Sequence, residues 1–340
     1  PKVTKMTIRV AVNGFGRIGR NFARALHGND QIELVAANDV ADVNTLAHLL
    51  KYDTVHGRAT FEIKHDDTGI SIDGRHMDMY NERDPKNLPW ADLGVDVVIE
   101  STGFFTTRDG AAKHLGAGAS RVIISAPSGD CDATYVVGVN DQDFDAVNDI
   151  VISNASCTTN CLAPMVKVLD DTFGLEKGFI TTIHAYTGDQ SIVDSPHGDL
   201  RRARAAAANV VPTSTGAARA IGIVMPHLAG KLDGMAVRVP IPNGSITDFV
   251  GTIGAEVTVD DVNDAFRSAS TSGPLARVLD YSDEPLVSSD IVGTAASCTF
   301  DSGLTMAMGN TVKVAGWYDN EWGYSNRLVD LAKLVGAATS

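Results

Sequence analysis

Ile8-Arg9-Val10-Ala11-Val12-Asn13-Gly14-Phe15-Gly16-Arg17-Ile18-Gly19 decides the fold. An apolar, β-branched run leads straight into Gly-x-Gly-x-x-Gly, a helical stretch follows to about Leu26, and the next β-rich run ends at Asp39, twenty residues beyond Gly19. Each spacing has a mechanical reason. The first glycine makes a tight turn, the second lets a pyrophosphate approach the backbone, and the third lets the helix pack on the strand. Phosphates then sit at the helix N-terminus. Gly14, Gly16, Arg17, Ile18 and Gly19 are therefore expected to line a dinucleotide, with Asp39 accepting from the adenosine ribose. A carboxylate there repels a 2′-phosphate, which favours NAD over NADP. A lone glycine motif is a weak signal; here its strand–turn–helix context and the downstream acid make it specific.

Outward from this stretch, Met6–Val12, Glu33–Asn38, Val95–Ser101, Arg121–Ser125, Tyr135–Val139 and Ile150–Ser153 read as buried parallel strands alternating with helical segments. This is the pattern of an α/β Rossmann-type doubly wound parallel sheet. Alternation between Phe61 and Arg75 reads as an inserted hairpin. After Cys157 the runs lengthen, as in Gly178–His184, Met235–Ile241, Phe249–Val257 and Thr305–Trp317. They predict an α+β domain with a mostly antiparallel sheet. The expected division is an NAD-binding domain over 1–156, a catalytic domain over 157–319, and a C-terminal helical segment, 320–340, returning to the first.

The 340 residues leave room for two cores. No apolar run has membrane-spanning length and no leader-like segment opens the chain, so a soluble, cytoplasmic protein is expected. Four cysteines in a chain of this size read as free thiols, and no paired Cys or His spacing completes a metal shell. The net charge is −14, drawn from 34 Asp, 8 Glu, 11 Lys and 17 Arg. Asp in place of Glu and a shortage of Lys resemble proteins of salt-loving organisms. The same charge opposes binding to nucleic acid, whose affinity rests on cationic contacts to phosphate.

Ser153-Asn154-Ala155-Ser156-Cys157-Thr158-Thr159-Asn160-Cys161 places one thiol among small polar donors, just before a helix-like run from Leu162 to Phe173. A helix N-terminus favours thiolate over thiol. An isolated cysteine is usually a packing residue; these neighbours single out Cys157 as a nucleophile, while Cys161, followed by Leu162 and Ala163, reads as core.

Several blocks together resemble the phosphorylating glyceraldehyde-3-phosphate dehydrogenase family. They are Asn13 to Arg20, Ser153 to Pro164, His184-Ala185-Tyr186-Thr187-Gly188-Asp189-Gln190, Pro212 to Ala217, and Trp317 to Ser325. The resemblance runs from about Met6 to about Leu334. It implies that Cys157 is the nucleophile and His184 its base. It implies a substrate-phosphate site at Thr187, Asp189 and Arg238, and an inorganic-phosphate site at Ser156, Thr158, Arg202, Thr215 and Gly216. Arg201, Arg202 and Arg204 form a basic run that a solvated face could explain, but in a chain poor in cations an anion is the better partner. For the cofactor the resemblance adds Arg83, Ser101, Thr102, Ser125 and Asn320.

The implied reaction is oxidation and phosphorylation of glyceraldehyde 3-phosphate to 1,3-bisphosphoglycerate by a homotetramer, through a Cys157 thiohemiacetal and thioester. Pro196 resembles the NAD-selective form, whereas Ser195 leaves NADP use open. Erythrose-4-phosphate dehydrogenase shares the scaffold and thiol. A semialdehyde dehydrogenase should lack the paired anion motifs. A non-catalytic relative binding nucleotide or RNA would have no need of Cys157, His184 and Asn320 together.

Overall fold

The computed structural model describes residues 7–338. Met6, expected to open the first strand, and residues 339–340 of the expected C-terminal segment lie outside them. The described chain divides into two units, one holding 7–135, 143–155 and 325–338, the other 136–142 and 156–324.

The first unit is built on a nine-stranded sheet in the order Ala133–Thr134, Val151–Ser153, Arg121–Ile124, Val97–Glu100, Ile8–Asn13, Ile32–Asn38, Arg75–Tyr80, Gly69–Ile72, Ile63–His65. The first seven run parallel. The last two pairings are antiparallel. The segment expected as an inserted hairpin thus extends the sheet through Arg75–Tyr80. Ile8–Asn13 lies at the centre, and Val10, Val12, Val97, Val98 and Ile99 are fully buried. Each such side chain contributes about 1.5–3 kcal/mol by leaving water, which is why these strands read as unbroken apolar runs.

Tyr135–Val139 is not a strand; the short strand Ala133–Thr134 precedes it. The side-chain oxygens of Asn140 and Asp141 take the Val136 and Gly138 N–H groups at 2.8 Å each, so these donors are lost to any neighbouring strand. The final helix spans Trp322–Gly336, and a Cβ on Gly336 would come within 2.4 Å of Ile8 Cγ2, so the helix end rests directly on the first strand.

The second unit carries an eight-stranded sheet in the order Val211–Ser214, Leu232–Val239, Leu175–Ala185, Ser245–Ile253, Thr311–Tyr318, Cys298–Asp301, Leu279–Ser282, with Met306–Met308 paired to Thr311–Tyr318. It is mostly antiparallel, with parallel pairings where Leu175–Ala185 meets Leu232–Val239 and where Leu279–Ser282 meets Cys298–Asp301. The run Thr305–Trp317, expected as one strand, folds into two around Gly309-Asn310. Gly309 has φ 61°, a conformation suited to a two-residue hairpin. The helix Cys157–Phe173 starts five residues before the expected Leu162, because Ser156 caps it. Its apolar face, including Leu162, Met165, Val166 and Leu169, is wholly buried. Phe266 and Phe300 stack with centroids 3.8 Å apart deeper in this unit.

Candidate active site

The dinucleotide motif folds as its spacing requires. Gly14 has φ 93°, and a Cβ there would lie 2.6 Å from the backbone of Ser101 and Thr102. A Cβ on Gly19 would stand 2.3 Å from Gly14 O. A Cβ on Gly16 would meet no protein atom and would project into a cleft of about 580 Å³. The helix Arg17–Ala25 begins there without a side-chain cap, so its first N–H groups are available to an anion. Asn13, Asn38, Asp39, Glu82, Arg83, Ser101, Thr102 and Phe104 line the cleft with Gly14 and Gly16. Asp39 accepts from Phe15 N–H at 2.8 Å and Ala41 N–H at 3.0 Å, which fixes its carboxylate at the end of the second strand. A groove walled by glycine backbone, with a helix N-terminus and a carboxylate at its lining, fits a dinucleotide.

Two expected cofactor residues sit differently from a simple lining role. The Arg17 guanidinium pairs with the buried Asp53 rather than facing the cleft. Against burial, which would raise it, this pairing and the His56 and Val55 N–H bonds hold the Asp53 carboxyl at about 2. Ser101 Oγ donates to Gly14 O at 2.7 Å and so buttresses the glycine turn. Ser125 follows the strand Arg121–Ile124, its N–H donating to Glu100 O at 2.9 Å.

In the second unit Cys157 opens its helix two residues after Ala155, a non-glycine residue at φ 55°. The left-handed kink turns the chain sharply from strand to helix. Ser156 Oγ accepts from Thr159 N–H at 3.0 Å and lies 2.7 Å from Thr159 Oγ1. Cys157 Sγ lies 3.5 Å from His184 Nε2. His184 Nδ1 is 2.7 Å from the Ala185 carbonyl, which assigns the ring proton to Nδ1 and turns the Nε2 lone pair to the thiol.

Burial pushes the Cys157 thiol up to about 11, outweighing Arg238 and the Thr158 hydrogen bonds, which favour the thiolate. The helix-terminal N–H groups act in the expected direction, toward thiolate, but burial outweighs them. Burial, then Arg238, push the His184 imidazole down to about 3. Neither group carries a charge by itself near neutrality, and Nε2 is the acceptor within reach of a proton leaving the sulfur.

Strand register supplies the cations. His184 and Arg238 are register partners in adjacent parallel strands. Arg238 Nη1 comes within 3.2 Å of the His184 ring and donates to Thr187 Oγ1 at 2.9 Å. Thr187 hydrogen-bonds Asp189, which pairs with Arg202 Nη1 at 2.8 Å. Although burial opposes it, the Thr187 hydroxyl, Arg238 and Arg202 hold the Asp189 carboxyl below its usual range. Arg202 also donates to Thr213 Oγ1 at 2.9 Å, just before Thr215 and Gly216. Thr215 Oγ1 accepts from Ala217 N–H at 3.2 Å at the start of the helix Ala217–Val224. Among the three clustered arginines, Arg202 alone turns to these residues. Arg204 is exposed and pairs with Asp194 at 2.7 Å. Thr158 is buried, its hydroxyl 2.9 Å from Tyr318 OH.

Two family models match the chain: "Glyceraldehyde 3-phosphate dehydrogenase, NAD binding domain" over residues 8–108, and "Glyceraldehyde 3-phosphate dehydrogenase, C-terminal domain" over 156–320. A glyceraldehyde-3-phosphate dehydrogenase of Streptomyces coelicolor is 59% identical over 97% of this chain and 99% of the relative. Enzymes of that name from Priestia megaterium and Mycobacterium tuberculosis are 57% and 58% identical, over 98% and 97% of this chain and 99% of each relative. The chain belongs to the glyceraldehyde-3-phosphate dehydrogenase family.

The site also holds side chains that the sequence did not single out. Tyr318 OH lies 2.7 Å from Thr182 Oγ1, and its ring stands edge-on to His184 with centroids 5.9 Å apart. Burial first, then the Cys157 and Cys161 sulfurs, push its phenol far up, so it stays a neutral hydroxyl. Ser245 links Ala185 N–H, at 3.0 Å, to Asn320 Oδ1, at 2.8 Å. With its oxygen engaged, Asn320 has its amide NH₂ to offer. Both residues lie in strands whose site-facing role appears only after pairing. All four cysteines are free, and no cluster of three or more metal-ligating side chains occurs among the described residues. No helix among them is long and apolar enough to cross a membrane.

Proposed function

We propose that the protein is an NAD-dependent phosphorylating glyceraldehyde-3-phosphate dehydrogenase, acting in the cytoplasm as a homotetramer, that converts glyceraldehyde 3-phosphate and inorganic phosphate to 1,3-bisphosphoglycerate. The observation that carries this reading is Cys157 Sγ at 3.5 Å from the unprotonated His184 Nε2, with Arg238 beside the same ring. Sulfur attacks the aldehyde carbon as its proton moves to Nε2. The resulting oxyanion is stabilised by the Cys157 N–H and the imidazolium. Bound NAD supplies the acceptor for the hydride. The imidazolium gives its proton to that oxygen to form the thiohemiacetal and takes it back as the hydride leaves carbon, leaving the acyl group on sulfur as a thioester; phosphate then displaces the thiolate, which recovers the proton from His184, to give the acyl phosphate.

The anion-site assignments follow the same logic. Arg238 Nε is buried and has no hydrogen-bond partner among the described residues, which suits a donor kept for a substrate phosphate beside Thr187 and Asp189. Arg202, Thr215 and Gly216 are read as the inorganic-phosphate side. The Ser156 and Thr158 hydroxyls are engaged with Thr159 and Tyr318, so these two residues would serve chiefly by placing Cys157 and its neighbouring N–H groups. Gly14, Gly16, Gly19, Asp39, Arg83, Ser101 and Thr102 are read as holding NAD in the first unit; Asn320 is read as the donor to its carboxamide.

Assembly has support in exposed apolar side chains. Phe179 and Val250 are register partners, 71% and 39% exposed, and Met306 and Met308 are also exposed. Ile192, Val193 and Leu200 form a second exposed group. The Asp-rich, Lys-poor composition supports a salt-tolerant enzyme.

Initial rates of NAD and NADP reduction with glyceraldehyde 3-phosphate test the reading, with and without phosphate, in dilute and in molar potassium chloride. Phosphate-dependent turnover with NAD preferred is expected. Phosphate-independent turnover, or a preference for erythrose 4-phosphate, would overturn it.

A further inference from the structure

Beneath the dinucleotide cleft lies a buried carboxylate with no part in the chemistry above. Glu100 ends the strand Val97–Glu100 and is 2% exposed. Its Oε1 accepts from both Thr102 N–H, at 2.8 Å, and the Thr102 hydroxyl. Its Oε2 accepts from Asn13 Nδ2 at 2.6 Å and His114 Nε2 at 3.1 Å. Four donors converge on one side chain, as many as a carboxylate has acceptor sites.

Each donor is fixed by something behind it. His114 is fully buried, and Trp90 Nε1–H donates to its Nδ1 at 2.9 Å, which forces the ring proton onto Nε2 and toward Glu100. The Asn13 amide has one allowed orientation: Nδ2 faces Glu100, and Oδ1 accepts from Asn38 Nδ2 at 2.7 Å. Asn38 Oδ1 in turn accepts from Glu82 N–H at 2.8 Å. The chain Trp90, His114, Glu100, Asn13, Asn38, Glu82 therefore runs beneath several strand ends. Asn13, Asn38, Glu82 and Thr102 are all walls of the cleft.

We infer that the buried Glu100–His114 pair is a positioning device for NAD. The Glu100 carboxylate, an acceptor-only centre steadied by His114, sets the amide orientation of Asn13 and Asn38 and holds the Ser101–Thr102 turn against the Gly14 loop. Neither residue reaches the cofactor itself. The inference rests on the cleft being the NAD site, a reading that the test below checks separately.

Glu100→Gln is the decisive change. A glutamine amide has one acceptor oxygen and two N–H donors, so one of its ends must face donors. If that end meets Thr102, the backbone N–H cannot rotate away. If it meets Asn13 and His114, the conflict passes to Asn38 or to Trp90, which are themselves donors there. NAD affinity is measured by titration calorimetry on the full chain, and alkylation of Cys157 by iodoacetamide, without cofactor, reports the second unit.

The dissociation constant of Glu100→Gln should rise about tenfold or more, the factor carried by one lost hydrogen bond to a charged group. Its alkylation rate should stay within about twofold of the native rate. His114→Gln, which can still accept from Trp90 and donate to Glu100, should retain most of the affinity. His114→Leu should lose it.

A Glu100→Gln protein that is folded and binds NAD within about twofold of the native constant overturns the inference, that margin lying far below the loss expected of one such bond. So does equal binding by His114→Gln and His114→Leu. Where Glu100→Gln does not fold, Trp90→Phe, which removes one donor and keeps the shape, decides: weakened NAD binding supports the inference, and an unchanged constant overturns it. Absence of NAD binding by the native chain would instead overturn the reading of the cleft, and this inference with it.

Discussion

Replacing His184 by asparagine isolates the proton acceptor, because the amide keeps a donor near the Ala185 carbonyl while removing Nε2 from its place 3.5 Å from sulfur. Without an acceptor, the thiolate must form against burial, which places the Cys157 thiol at about 11. The sign is simple: the group is neutral below that value, and its reactive form grows as pH rises toward it. At pH 8 roughly one thiol in a thousand would then be ionised, a shortfall of three pH units. The expected loss of rate, about 10³, falls within the 10²–10⁴ that a positioned general base contributes.

Alkylation by iodoacetamide reads this without cofactor or substrate. His184→Asn should react about a thousandfold more slowly than the native protein at pH 8, its rate climbing nearly tenfold per pH unit through pH 10. The native rate should depend on pH far less steeply, since His184 supplies the acceptor. Reaction of the variant within about threefold of native at pH 8, or a flat profile for it, would refute the argument that burial blocks the unassisted thiolate.

Three further expectations follow from the same geometry. Arg238→Met should raise the KM for glyceraldehyde 3-phosphate by about 10- to 100-fold, the range of one or two lost charge-assisted hydrogen bonds, whereas the exposed, Asp194-paired Arg204→Met should leave it within about twofold; steady-state kinetics on both variants decides. Asp39→Ser should raise the NADP/NAD ratio of kcat/KM by about tenfold or more by removing charge repulsion at the ribose, and an unchanged ratio would count against the role given to Asp39. Arg17→Met strands the buried Asp53 carboxylate and should cost about 3 kcal/mol in denaturant unfolding. Because Arg17 holds Asp53 at about 2, below the ordinary 3.8, that deficit should be full above about pH 4 and shrink as pH falls toward 2.

The parts legible in the sequence are those governed by neighbours along the chain. Strand Ile8–Asn13 and its glycines could be read because a buried parallel strand needs unbroken apolar residues and the turn after it needs glycine at fixed offsets. Cys157 could be read because small polar residues around a thiol at a helix start have a local reason. Reading failed where a side chain diverted backbone donors, as Asn140 and Asp141 do after Tyr135, and where a glycine turned one apparent strand into two at Gly309. The helix start was misplaced because the capping role of Ser156 was not weighed.

His184 and Arg238 entered by resemblance, for nothing in their own neighbourhoods marks them, and Arg202 was marked locally only as one of a basic run with Arg201 and Arg204. By itself the sequence determined the class of fold, the place of the dinucleotide loop and which thiol to propose as the nucleophile, since these depend on periodicity, glycine spacing and short-range polar neighbours. Tertiary structure alone decided that His184 and Arg238 share a register, that Tyr318 braces Thr158 and Thr182, and that Glu100 and His114 meet under the cleft. Those contacts join residues 14 to 160 positions apart. They exist only because strand pairing and burial bring together groups that carry no signal of one another along the chain.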